Sequence, residues 1–110
     1  MSLAAKRCVP CEGGVMPLTI QEAEEHMKEL NEWKLGGDAR KISKECTFKN
    51  FADALAFTIK VGALAEEEGH HPDILLKWGS VALELSTHSI GGLSENDFIL
   101  AAKIDAVESS

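Results

Sequence analysis

Three histidines and an aspartate are the side chains in this 110-residue chain best suited to moving protons: His70 and His71 side by side, then His88 and Asp97. Imidazole titrates near neutral pH, so it can give or take a proton at little cost in either direction. No serine or cysteine among these residues has the setting of an activated nucleophile, so covalent catalysis is not expected. Taken singly, Asp97 reads as a helix cap, Glu66 to Glu68 as a solvated helix end and His88 as the close of a strand. The chemistry therefore depends on whether the fold gathers them.

The stretch EEEGHHPDILLKW, residues 66–78, supplies half of that placement. Asn50 is a suitable N-cap, and the apolar residues that follow predict a helix over 51–65 whose end reaches Gly69, a residue suited to a left-handed C-cap. Pro72 biases His71 towards extended backbone. Residues 73–78 and 81–87 predict a β-hairpin with Gly79-Ser80 as a type II′ loop, setting Trp78 opposite Val81, Leu76 opposite Leu83 and Ile74 opposite Leu85. One further step brings His71 towards His88 at the open end of the hairpin. Ser94 and Asp97 then repeat a capping-box pattern and open a last helix that runs to about Glu108. Four titratable groups thus converge on one end of a sheet.

Upstream, Thr19 and Glu22 form a capping box for a first helix carrying Ile20, Ala23, Met27 and Leu30 and ending near Glu32. Residues 33–35, a Gly36-Gly37-Asp38 turn and residues 40–49 predict a short strand and a longer one. The order helix, two strands, helix, two strands, helix predicts an α+β fold, a single four-stranded antiparallel sheet with three helices packed on one side. Helix 51–65 is apolar around most of its circumference and needs burial on more than one side. It therefore predicts a helix-to-helix subunit contact through that helix.

The length suits one domain over residues 18–110, preceded by a flexible N-terminal arm over 1–17 in which Pro10, Gly13, Gly14 and Pro17 break any periodicity. A net charge of −7 opposes phosphate binding, so no direct nucleic-acid partner is expected. No apolar run has the length to cross a bilayer and the first residues lack a secretory apolar segment, so no membrane partner and a cytoplasmic location are expected. Cys8 and Cys11 form a CxxC, with Cys46 the third thiol. Half of a zinc site or a redox pair are the functional readings, and a partly ordered arm is the preferred one.

The run Glu66, three residues, His70-His71-Pro72, five residues, Trp78, nine residues, His88, eight residues, Asp97 resembles the signature of the pterin-4a-carbinolamine dehydratases. The phrases GHHPDI and THSIGGLSENDF strengthen the resemblance, which covers about residues 18–108 and includes Trp33. It implies dehydration of 4a-hydroxytetrahydropterin (4a-hydroxytetrahydrobiopterin) to quinonoid dihydropterin, which recycles the cofactor of aromatic amino-acid hydroxylation. It also implies His70 and His88 as acid and base at the 4a-hydroxyl, His71 orienting the pterin and assisting proton removal, and Asp97 organising the site. Glu66 and Trp33 would be peripheral supports of a small-molecule pterin substrate, with no metal or other cofactor. Members of this family are typically homotetramers, and some act as dimerisation cofactors of a homeodomain transcription factor. Two readings compete: a metal site built on Glu67-x-x-His70, for which a di-iron bundle would need a second such motif, and a non-enzymatic dimerisation or transcriptional cofactor module of the same fold.

Overall fold

The computed structural model describes residues 2–9 and 16–108. Within them the chain forms α1 (Ile20–Met27), β1 (Lys34–Leu35), β2 (Ile42–Thr47), α2 (Phe51–Glu68), β3 (Asp73–Lys77), β4 (Ser80–Leu85) and α3 (Glu95–Glu108). The strands make one antiparallel sheet in the order β1-β2-β4-β3, with the three helices packed on one side. This is the expected α+β architecture.

Local chemistry sets the helix starts. The Thr19 hydroxyl accepts the Glu22 N–H at 3.1 Å while the Glu22 carboxylate accepts the Thr19 N–H at 2.9 Å, and Asn50 Oδ1 accepts the Asp53 N–H at 2.8 Å. α1 stops at Met27, short of the expected Glu32. The N–H groups of residues 28–30 donate to carbonyls three positions back, which tightens the turn, and Glu32 then reverses the chain at φ 63°. α2 ends as expected, with Gly69 at φ 67°.

β2 and β4 pair over six residues, setting Ile42 opposite Leu85, Lys44 opposite Leu83 and Cys46 opposite Val81, all facing the helices. Lys44 breaks the apolar alternation because its amine is neutralised in place: Asp105 Oδ1 lies at 2.9 Å and Glu108 Oε1 at 2.5 Å. Burial opposes the charge, but the hydrogen bonds and charges of Glu108 and Asp105 more than offset it and hold the amine above its ordinary value. α3 is buried along most of its length, from Asn96 to Ile104, between the sheet, α2 and the N-terminal segment.

Two expectations shift. The hairpin loop is Trp78-Gly79, flanked by the pair Lys77 and Ser80, so Leu76 faces Val81 and Ile74 faces Leu83. Neither loop residue has positive φ, and the turn is not type II′. Glycine suits position 79, where an added Cβ would crowd the Phe48 carbonyl oxygen at 3.2 Å while the Phe48 N–H donates to the Gly79 carbonyl at 2.8 Å. The slip is two residues, so every side chain keeps its face.

Residues 2–9, read from the sequence as part of an arm without elements, contain a 3-10 turn at Leu3–Ala5 that lies against α3. Leu3 joins the core, its N–H donates to Glu29 Oε1 at 3.1 Å, and Lys103 donates to the Ala4 carbonyl at 3.0 Å. Residues 10–15, and Cys11 with them, lie outside the described residues.

Candidate active site

Two helix ends meet at one edge of the sheet. The αL cap at Gly69 turns α2 into His70, whose N–H still donates to the Ala65 carbonyl at 3.2 Å. His70 Nε2 then lies 2.6 Å from Asp97 Oδ1, in the first turn of α3. Asp97 is fully buried, and its other oxygen accepts the Thr87 hydroxyl at 2.8 Å and the Ser94 N–H at 3.0 Å. Three donors thus surround a carboxylate that is fully buried. An ionised carboxylate only accepts, so opposite an ionised Asp97 it is the His70 Nε2–H that donates, the tautomer whose neutral ring carries no proton on Nδ1.

Thr87 and the residues after it form a closed loop. Thr87 exchanges backbone hydrogen bonds with Gly92, Gly91 adopts φ 70°, and the 3-10 turn His88–Ile90 lies between them. The Ser94 hydroxyl bonds that of Thr87 at 2.8 Å, so the cap of α3 is fastened to this loop. His88 is therefore carried on a short 3-10 turn rather than on a strand. The ladder stops at Asp73 and Glu84, so His71 and His88 are not cross-strand partners.

They nonetheless share one cavity. A hollow of about 270 Å³ is lined by His70, His71, His88, Ser86, Thr87, Ser89, Gly69, Asn96 and Val9. This is near the lower end of small-molecule pockets, roughly 300 Å³. His70 is mostly buried, whereas His71 and His88 are exposed. His71 Nε2 contacts Glu66 Oε2 closely, but both side chains are solvated and the pair is worth little beyond orientation.

The other candidates separate. Trp33 is buried elsewhere, its indole N–H donating to Asp105 Oδ1 at 2.8 Å beside Lys44. It lines a larger hollow of about 980 Å³ over the open face of the sheet, with Ser43, Glu45, Leu75, Ala82 and Glu84, and no histidine reaches that hollow. Its size does not make it the reactive site, because titratable groups converge on the smaller one. Glu67 is exposed, and among the described residues no three His, Cys, Asp or Glu side chains group as a metal ion would require.

Three contributors were not among the candidate site residues. Thr87 and Ser94 hold Asp97, and the only sequence signal for them was their place beside His88 and at the predicted cap. Glu68 was read with the solvated acid run, yet its carboxylate is buried and accepts the Cys8 N–H at 2.9 Å, with Arg7 and Lys103 at 3.2 and 3.7 Å. Burial raises its pKa, but the Cys8 hydrogen bond and the Lys103 and Arg7 charges bring it below the ordinary value. Burial first, then the Glu68 charge, pushes the Cys8 thiol up to about 12.

A single α+β layer pair thus gathers three histidines around one cavity where two helix ends meet. Residues 16–107 match the family model described as pterin 4 alpha carbinolamine dehydratase, and the chain belongs to that family. A protein of Halorhodospira halophila, provisionally named a pterin-4-alpha-carbinolamine dehydratase, is 53% identical over 97% of this chain and 98% of its own. A relative from Methylococcus capsulatus under the same provisional name is 52% identical over 94% and 91%. Among solved structures, a transcriptional coactivator/pterin dehydratase from Brucella melitensis superposes with a TM-score of 0.78 at 31% identity, covering 83% of this chain and 97% of that one. A pterin dehydratase-like protein identified as a RuBisCO assembly factor in the alpha-carboxysome gives 0.63 at 28% identity, over 74% and 95%. Among the described residues, no helix is long and apolar enough to cross a membrane.

Proposed function

We propose that this chain dehydrates 4a-hydroxytetrahydropterin to quinonoid dihydropterin by histidine acid–base catalysis, in the recycling of tetrahydrobiopterin. The observation that carries the reading is the Thr87–Asp97–His70 chain of hydrogen bonds opening onto a cavity shared with His71 and His88. The reaction needs one proton delivered to the 4a-oxygen, which leaves as water. It also needs one proton removed from N5 as the C4a–N5 double bond forms. The two transfers balance, so an acid and a base suffice. His70 and His88 take these two parts, His71 orients the ring with Glu66 steadying it, and Asp97 fixes the His70 proton. Trp33, expected as a peripheral support of the substrate, lies outside this cavity and donates to Asp105 instead.

The test is stopped-flow decay of carbinolamine generated in situ. Substoichiometric protein should accelerate its loss in proportion to protein concentration, before and after chelator treatment. Unaccelerated decay with folded protein would refute the reading.

A second reading concerns assembly. Phe51, Leu55 and Ile59 leave an apolar stripe exposed on α2, opposite the face that buries Ala54, Phe57 and Val61. This supports self-association through α2, as a homodimer or homotetramer, and would also serve a cofactor role of the kind the Brucella neighbour's description carries. Sedimentation of the Ile59→Glu variant tests it: a lighter species than wild type supports the contact, and an unchanged mass refutes it.

A further inference from the structure

The N-terminal segment reaches the cavity, and a mere tail would not be held as it is. The Asn96 side-chain amide grips the Val9 backbone in both directions: the Val9 N–H donates to Oδ1 at 3.0 Å and Nδ2 donates to the Val9 carbonyl at 2.5 Å. Asn96 is 4% exposed. One residue earlier, the Cys8 N–H donates to the buried Glu68 carboxylate. These anchors sit beside the reactive pair: Asn96 directly precedes Asp97, and Glu68 lies two residues before His70. The two helix ends that bring His70 and Asp97 together are thus the ones that hold the segment down.

Val9 is also chemically distinct within the cavity. The other lining residues are three histidines, two serines, a threonine, an asparagine and a glycine, so Val9 is the sole aliphatic side chain among the described ones. It remains 64% exposed, although valine ordinarily gains by burial. An aliphatic group held on a fixed backbone beside a polar, proton-transferring lining suits the face of a flat heteroaromatic ring.

We propose that Val9 forms a substrate-gripping wall of the histidine cavity and that Asn96 is the positioning residue that sets it, with Cys8 anchoring the segment on Glu68. The proposal rests on the dehydratase reading for its substrate, a reduced pterin. The wall acts on binding rather than on proton transfer, because both polar atoms of the Asn96 amide are engaged with the Val9 backbone.

The test compares Asn96→Ala and Val9→Ser with wild type in steady-state turnover, with thermal melts as a folding control. Both variants keep the Leu3 anchor. Each should raise KM about fivefold to tenfold, the loss of one aliphatic contact with the ring, while kcat stays within twofold. Unchanged KM in both would overturn the proposal. A fall in kcat at constant KM would also overturn it, by assigning Asn96 to the support of Asp97. Hydrogen exchange supplies a readout independent of turnover: saturating a dihydropterin on the wild-type chain should slow exchange across residues 2–9. Slowed exchange supports the wall even if the wild type proves inactive, in which case only the dehydratase reading fails. Unslowed exchange overturns the wall whatever the turnover.

Discussion

Asp97→Asn changes one oxygen to an amide nitrogen and leaves the shape of a fully buried side chain intact. The Ser94 N–H, 3.0 Å from Oδ2, can only donate, so the new carbonyl must stay on that side and the new NH₂ must face His70 Nε2. Nε2 is then forced to accept, and the ring proton moves to Nδ1, which reverses the tautomer that Asp97 sets for proton transfer at the cavity. Loss of a charge-assisted hydrogen bond alone is worth about 1.5–3 kcal/mol, or roughly tenfold to 150-fold at about 1.4 kcal/mol per decade. Loss of a positioned acid or base is worth roughly 100-fold to 10,000-fold. The expected result in single-turnover stopped flow is a fall in kcat of roughly 100- to 1,000-fold, with KM within about threefold of wild type. Stability should fall by about 1–2 kcal/mol, since one donor-to-acceptor contact is reversed rather than emptied. A folded Asp97→Asn protein with kcat within about threefold of wild type would refute the tautomer argument.

The remaining expectations concern the buried charges and the thiol. Lys44→Met should destabilise the fold by about 2–3 kcal/mol, below the usual 3–5 for breaking a buried pair because Glu108 keeps some solvent contact, and urea melts measure it. Because the Lys44 value is raised in the fold, its contribution is fully present below the ordinary 10.5 and is lost as pH rises through the folded value; urea midpoints should fall in that alkaline range for wild type and not for Lys44→Met. Glu68 is shifted the other way, so its contribution is present above the ordinary 4.5 and is lost as pH falls through the lowered folded value; Glu68→Gln should flatten that acid limb. With its thiol near 12, Cys8 should react with iodoacetamide at pH 8 roughly a thousandfold more slowly than an unperturbed cysteine, read site by site by mass spectrometry.

Much of the fold was legible because caps and periodicity are local. Thr19, Asn50 and Gly69 each act within one turn of their own position, and the paired strands show their faces through period-two burial. What escaped was set by partners distant in sequence. Glycine suits position 79 because of Phe48, a residue thirty-one positions earlier, so turn chemistry alone placed the loop one residue late. Lys44 looked like a flaw in a strand until Asp105 and Glu108 of α3 came beside it. The acid run at 66–68 was read as one feature, yet its three members take different fates: Glu66 meets His71, Glu67 faces solvent and Glu68 is buried under the N-terminal segment. The histidine spacing put His70, His71 and His88 near one another, and one cavity holds all three. It did not show that Trp33 stands apart from them, because an indole held by Asp105 leaves no local trace.

The most direct test of the central claim is a double-mutant cycle on His70→Ala and His88→Ala, with carbinolamine turnover as the readout. If the two rings serve one acid–base event across the shared cavity, each single variant should lose roughly 100-fold or more and the double variant little beyond the worse single one. Full activity in either single variant, or losses in the double variant equal to the product of the singles, would contradict a coupled pair at this site.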